Sequence, residues 1–127
     1  KDFQLVISYN PGYQSLMKDL KQSTKQRFGG LDFDYPVEET EVAIVSKESG
    51  VDKATAEKLV QMARRERSLK VRGLDECIST RLLVNAGQLS SKGIEAEAAC
   101  SMTMVTPLTD DPVMRDTLNA AVQTFFG

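Results

Sequence analysis

Residues 5–14, LVISYNPGYQ, and residues 25–36, KQRFGGLDFDYP, decide the fold that is expected for the first part of the chain. The apolar run Leu5-Val6-Ile7 predicts a strand over 3–8 that is covered on both faces. A turn at 10–12 and a helix over 13–26 follow, because Asn-Pro-Gly is a strong turn signal and the later apolar residues keep helical spacing. The strict alternation of 31–35 predicts a second, half-buried strand, which Pro36 ends.

After Pro36 the pattern predicts only helices. The predicted helices span 38–49, 52 to about 68, 79–91, 94–105 and 112–125, with a loop over 69–77. Their expected stops and caps are Gly50, Asp52, Gly93 and the pair Asp111-Pro112. The fold class is therefore an α/β fragment of two strands and one helix, residues 1–36, followed by an all-α bundle, residues 37–127.

Composition excludes several functional classes. The 127 residues carry a formal net charge of −2, which argues against nucleic acid as a partner. No apolar run is long enough for a membrane span, and the N-terminal residues lack signal-peptide features, so neither is expected. Two cysteines without CxxC spacing and no histidine argue against a zinc site and against Ser-His or Cys-His catalysis. A reducing, cytoplasmic compartment is expected. The basic stretch 64–72 is interpreted as a solvated helix end.

Two polar residues of the first part are candidates for a site. Asn10 follows a buried strand, where side chains of an open α/β sheet point into the ligand crevice; the alternative is a turn former before Pro11. Arg27 ends the predicted helix 13–26, where the helix dipole alone favours a cation; the alternative is a role at a phosphate of a neighbouring subunit. Asp32 and Asp34 are interpreted as the solvent face of their strand.

A third candidate, Arg81, falls in the first turn of the helix that Ser79 or Thr80 caps. A cation there opposes the helix dipole, so a group outside the helix is expected to favour the guanidinium. An anion such as a nucleotide phosphate meets that requirement. A salt bridge to Asp75 or Glu76 meets it equally well.

The order of these motifs resembles the MoxR-type AAA+ ATPases, specifically the CbbQ/NirQ/NorQ branch. The resemblance rests on the blocks SYNPGYQ (8–14), KQRF (25–28), LDFDYP (31–36), STRLL (79–83), EAAC (97–100) and PLTDDP (107–112). It covers essentially the whole chain.

The resemblance implies roles for the three candidates. Asn10 matches the sensor that positions the hydrolytic water, Arg27 matches the arginine that reaches the neighbouring subunit's nucleotide, and Arg81 matches the lid arginine that contacts its own subunit's nucleotide. The implied cofactors are ATP and Mg²⁺. The implied partners are neighbouring subunits of a homo-oligomeric ring, expected to be a hexamer, a von Willebrand-type protein and a target metalloenzyme that is remodelled or activated.

The chain contains no phosphate-binding loop of the form G-x-x-x-x-G-K-[ST]. The resemblance places that loop and the acidic Mg²⁺-binding motif upstream of Lys1, so these residues alone are expected to be inactive as an ATPase. The alternative function is a non-catalytic helical module that binds protein partners.

Overall fold

A computed structural model describes residues 2–8, 22–69 and 77–127. The chain divides into two compact units, residues 1–33 and residues 34–127. The predicted domain boundary after Pro36 concerns the parent protein and stays a prediction.

The described part of the first unit contains one short helix, α1 (Gln22–Lys25), followed by a turn. The predicted helix 13–26 thus ends within one residue of its expected position, while residues 9–21 lie outside the described part. The predicted strands over 3–8 and 31–35 are not shown by this structure, since neither segment has regular secondary structure. Their apolar side chains are exposed, as Phe3 and Phe33 show at 87% and 92%. A strand requires a partner for its backbone groups, and the described residues provide none.

All regular secondary structure in the described part of the second unit is helical. Its elements are α2 (Glu38–Ser49), α3 (Lys53–Leu69), α4 (Thr80–Ser91), α5 (Ala96–Cys100), the π-helical segment π1 (Ser101–Val105), α6 (Thr106–Leu108) and α7 (Pro112–Phe126). Among the described residues, no helix combines the length and apolar character needed to cross a membrane.

Local capping signals set the helix ends as the sequence predicts. Gly50 adopts a left-handed conformation, φ 80°, and its N–H donates to the Ser46 carbonyl to end α2. Asp52 accepts from the Thr55 backbone N–H at 3.3 Å, and the side-chain hydrogen bond from Thr55 lowers the pKa of Asp52. Asp111 accepts from Val113 N–H at 3.0 Å, with Pro112 in the first turn of α7.

The predicted helix 94–105 is longer and less regular than expected. It starts at Ala96, widens into π1, and continues as α6 to Leu108. The wide turn lies just before Pro107, which has no N–H to donate to the helix ladder. Thr106 donates its hydroxyl to the Ser101 carbonyl five residues earlier at 3.1 Å, so the π spacing also satisfies a side chain.

The described helices enclose one hydrophobic core, to which α3 contributes Ala56, Leu59, Val60, Met62 and Ala63. Its fully buried side chains include those of Leu59, Met62, Leu83, Met104 and Val122. Cys100 belongs to this core, and burial raises the pKa of its thiol to about 12, so the thiol stays protonated and unreactive. Cys77, in contrast, is exposed.

Helices α2 and α4 approach closely at Gly87. A Cβ atom on this residue would lie 2.7 Å from Cβ of Ser49 and closer still to its Oγ. Ser49 is buried, and its hydroxyl donates to the Val45 carbonyl at 2.6 Å, so the side chain is held in place. The absence of a side chain at position 87 thus sets the distance between the two helices.

Gly87→Ala is expected to destabilise the helical unit. Overpacking of this kind costs about 1–3 kcal/mol, which exceeds the gain of about 1 kcal/mol from replacing a helical glycine. Urea denaturation followed by circular dichroism measures the difference. The double variant Ser49→Gly/Gly87→Ala removes the side chain of α2 that a methyl group on α4 would meet. Its loss of stability should therefore be smaller than the sum of the losses of the two single variants. An alanine variant as stable as the wild type would contradict this account of the helix contact.

Candidate functional site

A buried ion pair joins α2 to α3. Glu41 is completely buried, and both of its carboxylate oxygens accept from the guanidinium of Arg67, at 3.0 Å to Oε2 and 2.9 Å to Oε1. The Arg67 side chain is itself only 9% exposed. This parallel two-bond geometry is the strongest form of carboxylate recognition, because the planar fork of arginine matches both oxygens.

The same ion pair reaches the start of α4. The Thr80 hydroxyl donates to Glu41 Oε1 at 2.7 Å, and Arg67 Nε donates to the Ile78 carbonyl at 2.7 Å. Ser79, between these two residues, occupies the N-cap position with an extended backbone, although its hydroxyl makes no capping bond. The start of α4 is therefore held by α2 and α3 rather than by a local cap.

Tyr35 completes this group of side chains, called here the Glu41 network (Tyr35, Glu41, Arg67, Ile78 and Thr80). The Arg67 guanidinium lies over the Tyr35 ring at 3.7 Å from its centroid. Burial raises the pKa of Tyr35, against the opposing charge of Arg67. The segment before α2 is thereby attached to α3.

Arg81 lies in the first turn of α4, as predicted, and is exposed. The residue just before it in the sequence, Thr80, is part of the Glu41 network. Within the described ranges Arg81 forms no ion pair, and the proposed salt-bridge partners Asp75 and Glu76 lie outside those ranges. The alternative of an internal salt bridge is therefore untested.

The other two predicted residues belong to the first unit. Arg27 is exposed in the turn after α1, where its N–H donates to the Thr24 carbonyl at 3.1 Å. Asn10 lies outside the described residues. Because Arg27 and Arg81 are in separate compact units, the structure describes no single site formed by the predicted residues, and their roles stay predictions.

The interpretation of 64–72 as a solvated helix end is wrong for two of its residues. Arg67 is committed to buried Glu41, and Glu66 is only 8% exposed. The sequence does contain a signal for the pair, since Glu41 shares one face of α2 with the buried residues Val45 and Ser49. A carboxylate on an apolar helix face requires a partner, but the sequence alone leaves that partner unidentified.

Glu66 lines a small apolar pocket of the helical unit. The surrounding side chains include Met62, Met104, Leu118 and Val122. Burial raises the pKa of Glu66. The positive charge of the nearby Arg65 lowers this pKa, but by less than burial raises it. Groups of three or more metal-binding side chains are absent from the described residues, so this carboxylate is not part of a metal site there.

Glu66→Gln is expected to stabilise the protein at about pH 7. The pKa of Glu66 is higher in the folded than in the unfolded state, so its ionised form opposes folding at neutral pH. This penalty disappears as the pH falls through the folded pKa and is absent below the ordinary value of 4.5. Thermal unfolding of both proteins across this pH range should show the advantage of glutamine shrinking on acidification. Glu48→Gln makes the same chemical change at an exposed position of α2 and serves as the matched control.

The model of the family described as "CbbQ/NirQ/NorQ C-terminal" matches residues 41–125, which include all of the Glu41 network except Tyr35. The chain is 65% identical over 125 residues to the protein CbbQ of Hydrogenophilus thermoluteolus, covering 98% of this chain and 47% of the relative. It is 44% identical to the protein NorQ of Paracoccus denitrificans over 98% of this chain and 46% of the relative.

It is also 47% identical over 110 residues to the denitrification regulatory protein NirQ of Pseudomonas aeruginosa, covering 87% of this chain and 42% of that protein. The chain thus spans a little under half the length of these relatives. The predicted family resemblance is confirmed: the chain belongs to the CbbQ/NirQ/NorQ branch of the MoxR-type AAA+ ATPases and contains its C-terminal domain.

Proposed function

We propose that the chain is the C-terminal sensor-and-lid portion of an AAA+ protein that hydrolyses ATP and remodels or activates a partner metalloenzyme complex. The observation that carries the proposal is the identity of 65% with CbbQ over 98% of the chain. The name of the relative NirQ, a denitrification regulatory protein, supports a role in controlling another protein system. A cytoplasmic location and a von Willebrand-type partner belong to the same proposal.

The residues of the helical unit fit a nucleotide phosphate. Arg81 is an exposed cation in the first turn of α4, where the backbone N–H groups and the helix dipole add positive potential. An anion supplied from outside the helix would offset this accumulation of positive charge. Within the proposal, Arg81 binds the nucleotide of its own subunit and transmits the state of that nucleotide to the lid.

The other two candidates act on the reaction itself in this proposal. Asn10 orients the attacking water through its amide, and Arg27 reaches the nucleotide of the neighbouring subunit to stabilise negative charge in the transition state. ATP supplies the phosphoryl group, and Mg²⁺ would neutralise part of the charge of that group when bound. The ligands of Mg²⁺ and the phosphate-binding loop lie upstream of Lys1 in the parent protein.

The first unit has a consistent explanation in the same proposal. Its segments 3–8 and 31–35 carry apolar side chains that are exposed, including those of Phe3, Val6, Leu31 and Phe33. In the parent protein they form the two strands of an α/β core, and strands from the upstream half cover them. An exposed apolar surface of this kind is otherwise a liability for aggregation.

The experiment is an ATP hydrolysis assay with Mg²⁺ on the full-length protein, the 127-residue chain and full-length Asn10→Ala. We expect turnover by the full-length protein, none by the 127-residue chain, and a lowered kcat with little change in KM for the variant. Asn119→Ala, on α7, serves as the matched control. A full-length protein that neither binds nor hydrolyses ATP would favour the alternative, a non-catalytic helical module, which the self-contained core of the second unit also permits.

A further inference from the structure

We propose that the Glu41 network is a positioning device for Arg81, and that Thr80 is the positioning residue through which it acts. The inference rests on the proposed function, because it assigns Arg81 a nucleotide phosphate as its ligand. It adds that the affinity for that phosphate depends on a buried ion pair between α2 and α3.

The backbone on the N-terminal side of Arg81 is held by two short hydrogen bonds. One joins the Ile78 carbonyl to Arg67 Nε, and the other joins the Thr80 hydroxyl to Glu41 Oε1, each at 2.7 Å. Both partners are largely buried, and Glu41 and Arg67 also bind each other through two further hydrogen bonds. Side chains of α2 and α3 thus hold the backbone just before Arg81.

The C-terminal side of Arg81 is held by packing. Leu83 is 0% exposed, and its N–H and that of Leu82 donate to the Ser79 carbonyl. Arg81 is therefore an exposed side chain on a backbone that is fixed on both sides. A cation fixed in this way loses little additional freedom when it binds an anion, which is the usual basis of preorganised binding.

Arg67 and Arg81 differ in whether their charge is paired. Arg67 uses Nε and both terminal nitrogens for Ile78 and Glu41, and one face of its guanidinium contacts Tyr35. Its charge is neutralised by Glu41, so it does not compete with Arg81 for an anion. Arg81, in contrast, is exposed and forms no ion pair with any of the described residues.

A double-mutant cycle on the full-length protein tests the inference. The variants are Arg81→Ala, Thr80→Val and the double variant, with binding of a fluorescent ATP analogue and hydrolysis of ATP as readouts. We expect each single change to weaken nucleotide binding about 5- to 50-fold and the double variant to bind no more weakly than Arg81→Ala, since coupled residues are not additive.

Two further variants separate positioning from folding. Thr80→Ser keeps the hydroxyl and should retain most of the nucleotide affinity. Thr117→Val makes the same chemical change in α7, where the hydroxyl donates only to its own helix at Val113, and should leave nucleotide binding unchanged. If Thr80→Val does not fold, Thr80→Ala takes its place in the cycle.

The outcomes are distinguishable. Additive losses in the double variant, or a Thr80→Val protein with altered thermal stability but wild-type nucleotide affinity, would overturn the positioning role and leave the proposed function standing. An Arg81→Ala protein with wild-type nucleotide affinity and turnover would overturn the inference together with the role proposed for Arg81, while the hydrolysis assay would still decide whether the parent protein is an ATPase.

Discussion

Arg67→Met is expected to lower the free energy of unfolding of the helical unit by about 3–5 kcal/mol, the usual cost of leaving a buried charge without its partner. The change leaves the Glu41 carboxylate, which is 0% exposed, with only the Thr80 hydroxyl as a described partner. It also removes the donor to the Ile78 carbonyl. Urea denaturation followed by circular dichroism should show a lower midpoint with an unchanged slope.

Two control variants test whether the lower free energy of unfolding comes from the unpaired charge of Glu41. Glu41→Met/Arg67→Met removes both charges and should recover most of the stability, because a buried ion pair replaced by apolar side chains is often neutral or better. Arg64→Met removes the half-exposed pair with Glu38, whose atoms lie 3.5 Å apart, and an exposed hydrogen bond to the Pro36 carbonyl at 3.5 Å, and it should cost about 0–1 kcal/mol. A loss below about 1 kcal/mol for Arg67→Met would contradict the assignment of the Glu41 network as a structural connection between the helices.

Arg27→Ala in the full-length protein is expected to lower the turnover of ATP by about 10³-fold or more, in line with other arginines that act on a transferring phosphoryl group. The loss should appear in kcat, with nucleotide binding retained, since the proposal assigns Arg27 to the neighbouring subunit's nucleotide. Arg65→Ala, an exposed arginine on α3, is the matched control and should leave turnover unchanged.

Mixed assemblies decide whether Arg27 acts across a subunit interface. A subunit with Arg27→Ala keeps Asn10, and a subunit with Asn10→Ala keeps Arg27, so some interfaces in a mixture contain both groups intact. We expect the mixture to recover part of the turnover that each variant lacks alone. Absence of any recovery, in assemblies shown to contain both variants, would indicate that Arg27 acts within its own subunit.

The helix ends were predictable because their signals are local. Gly50 ends α2 through its own left-handed backbone, and Asp52 and Asp111 cap the helices that begin one residue later. The buried face of α7 follows its helical period, since Leu118 and Val122 are four positions apart and both lie in the core. The family resemblance was equally accessible, since it rests on short blocks of sequence.

The predicted strands are absent from the described segments 3–8 and 31–35 because a strand is not a local structure. The alternation of 31–35 is compatible with a strand, but backbone pairing depends on a partner that this part of the chain does not provide among its described residues. The same reasoning applies to the site. Of the predicted residues, only Arg81 lies next to a network of contacts that the structure describes, and its position in the first helical turn agrees with the prediction.

The amino-acid order alone thus determined the end of α2, the starts of α3 and α7 and the family to which the chain belongs, because each depends on residues close together in the sequence. The tertiary structure decided which charges are paired. Glu41 and Arg67 are 26 positions apart, and Thr80 is 39 positions from Glu41, so no sequence periodicity relates them. Burial decided the rest, since the packing of α2, α3 and α4 determines whether a charged side chain faces water or requires a partner.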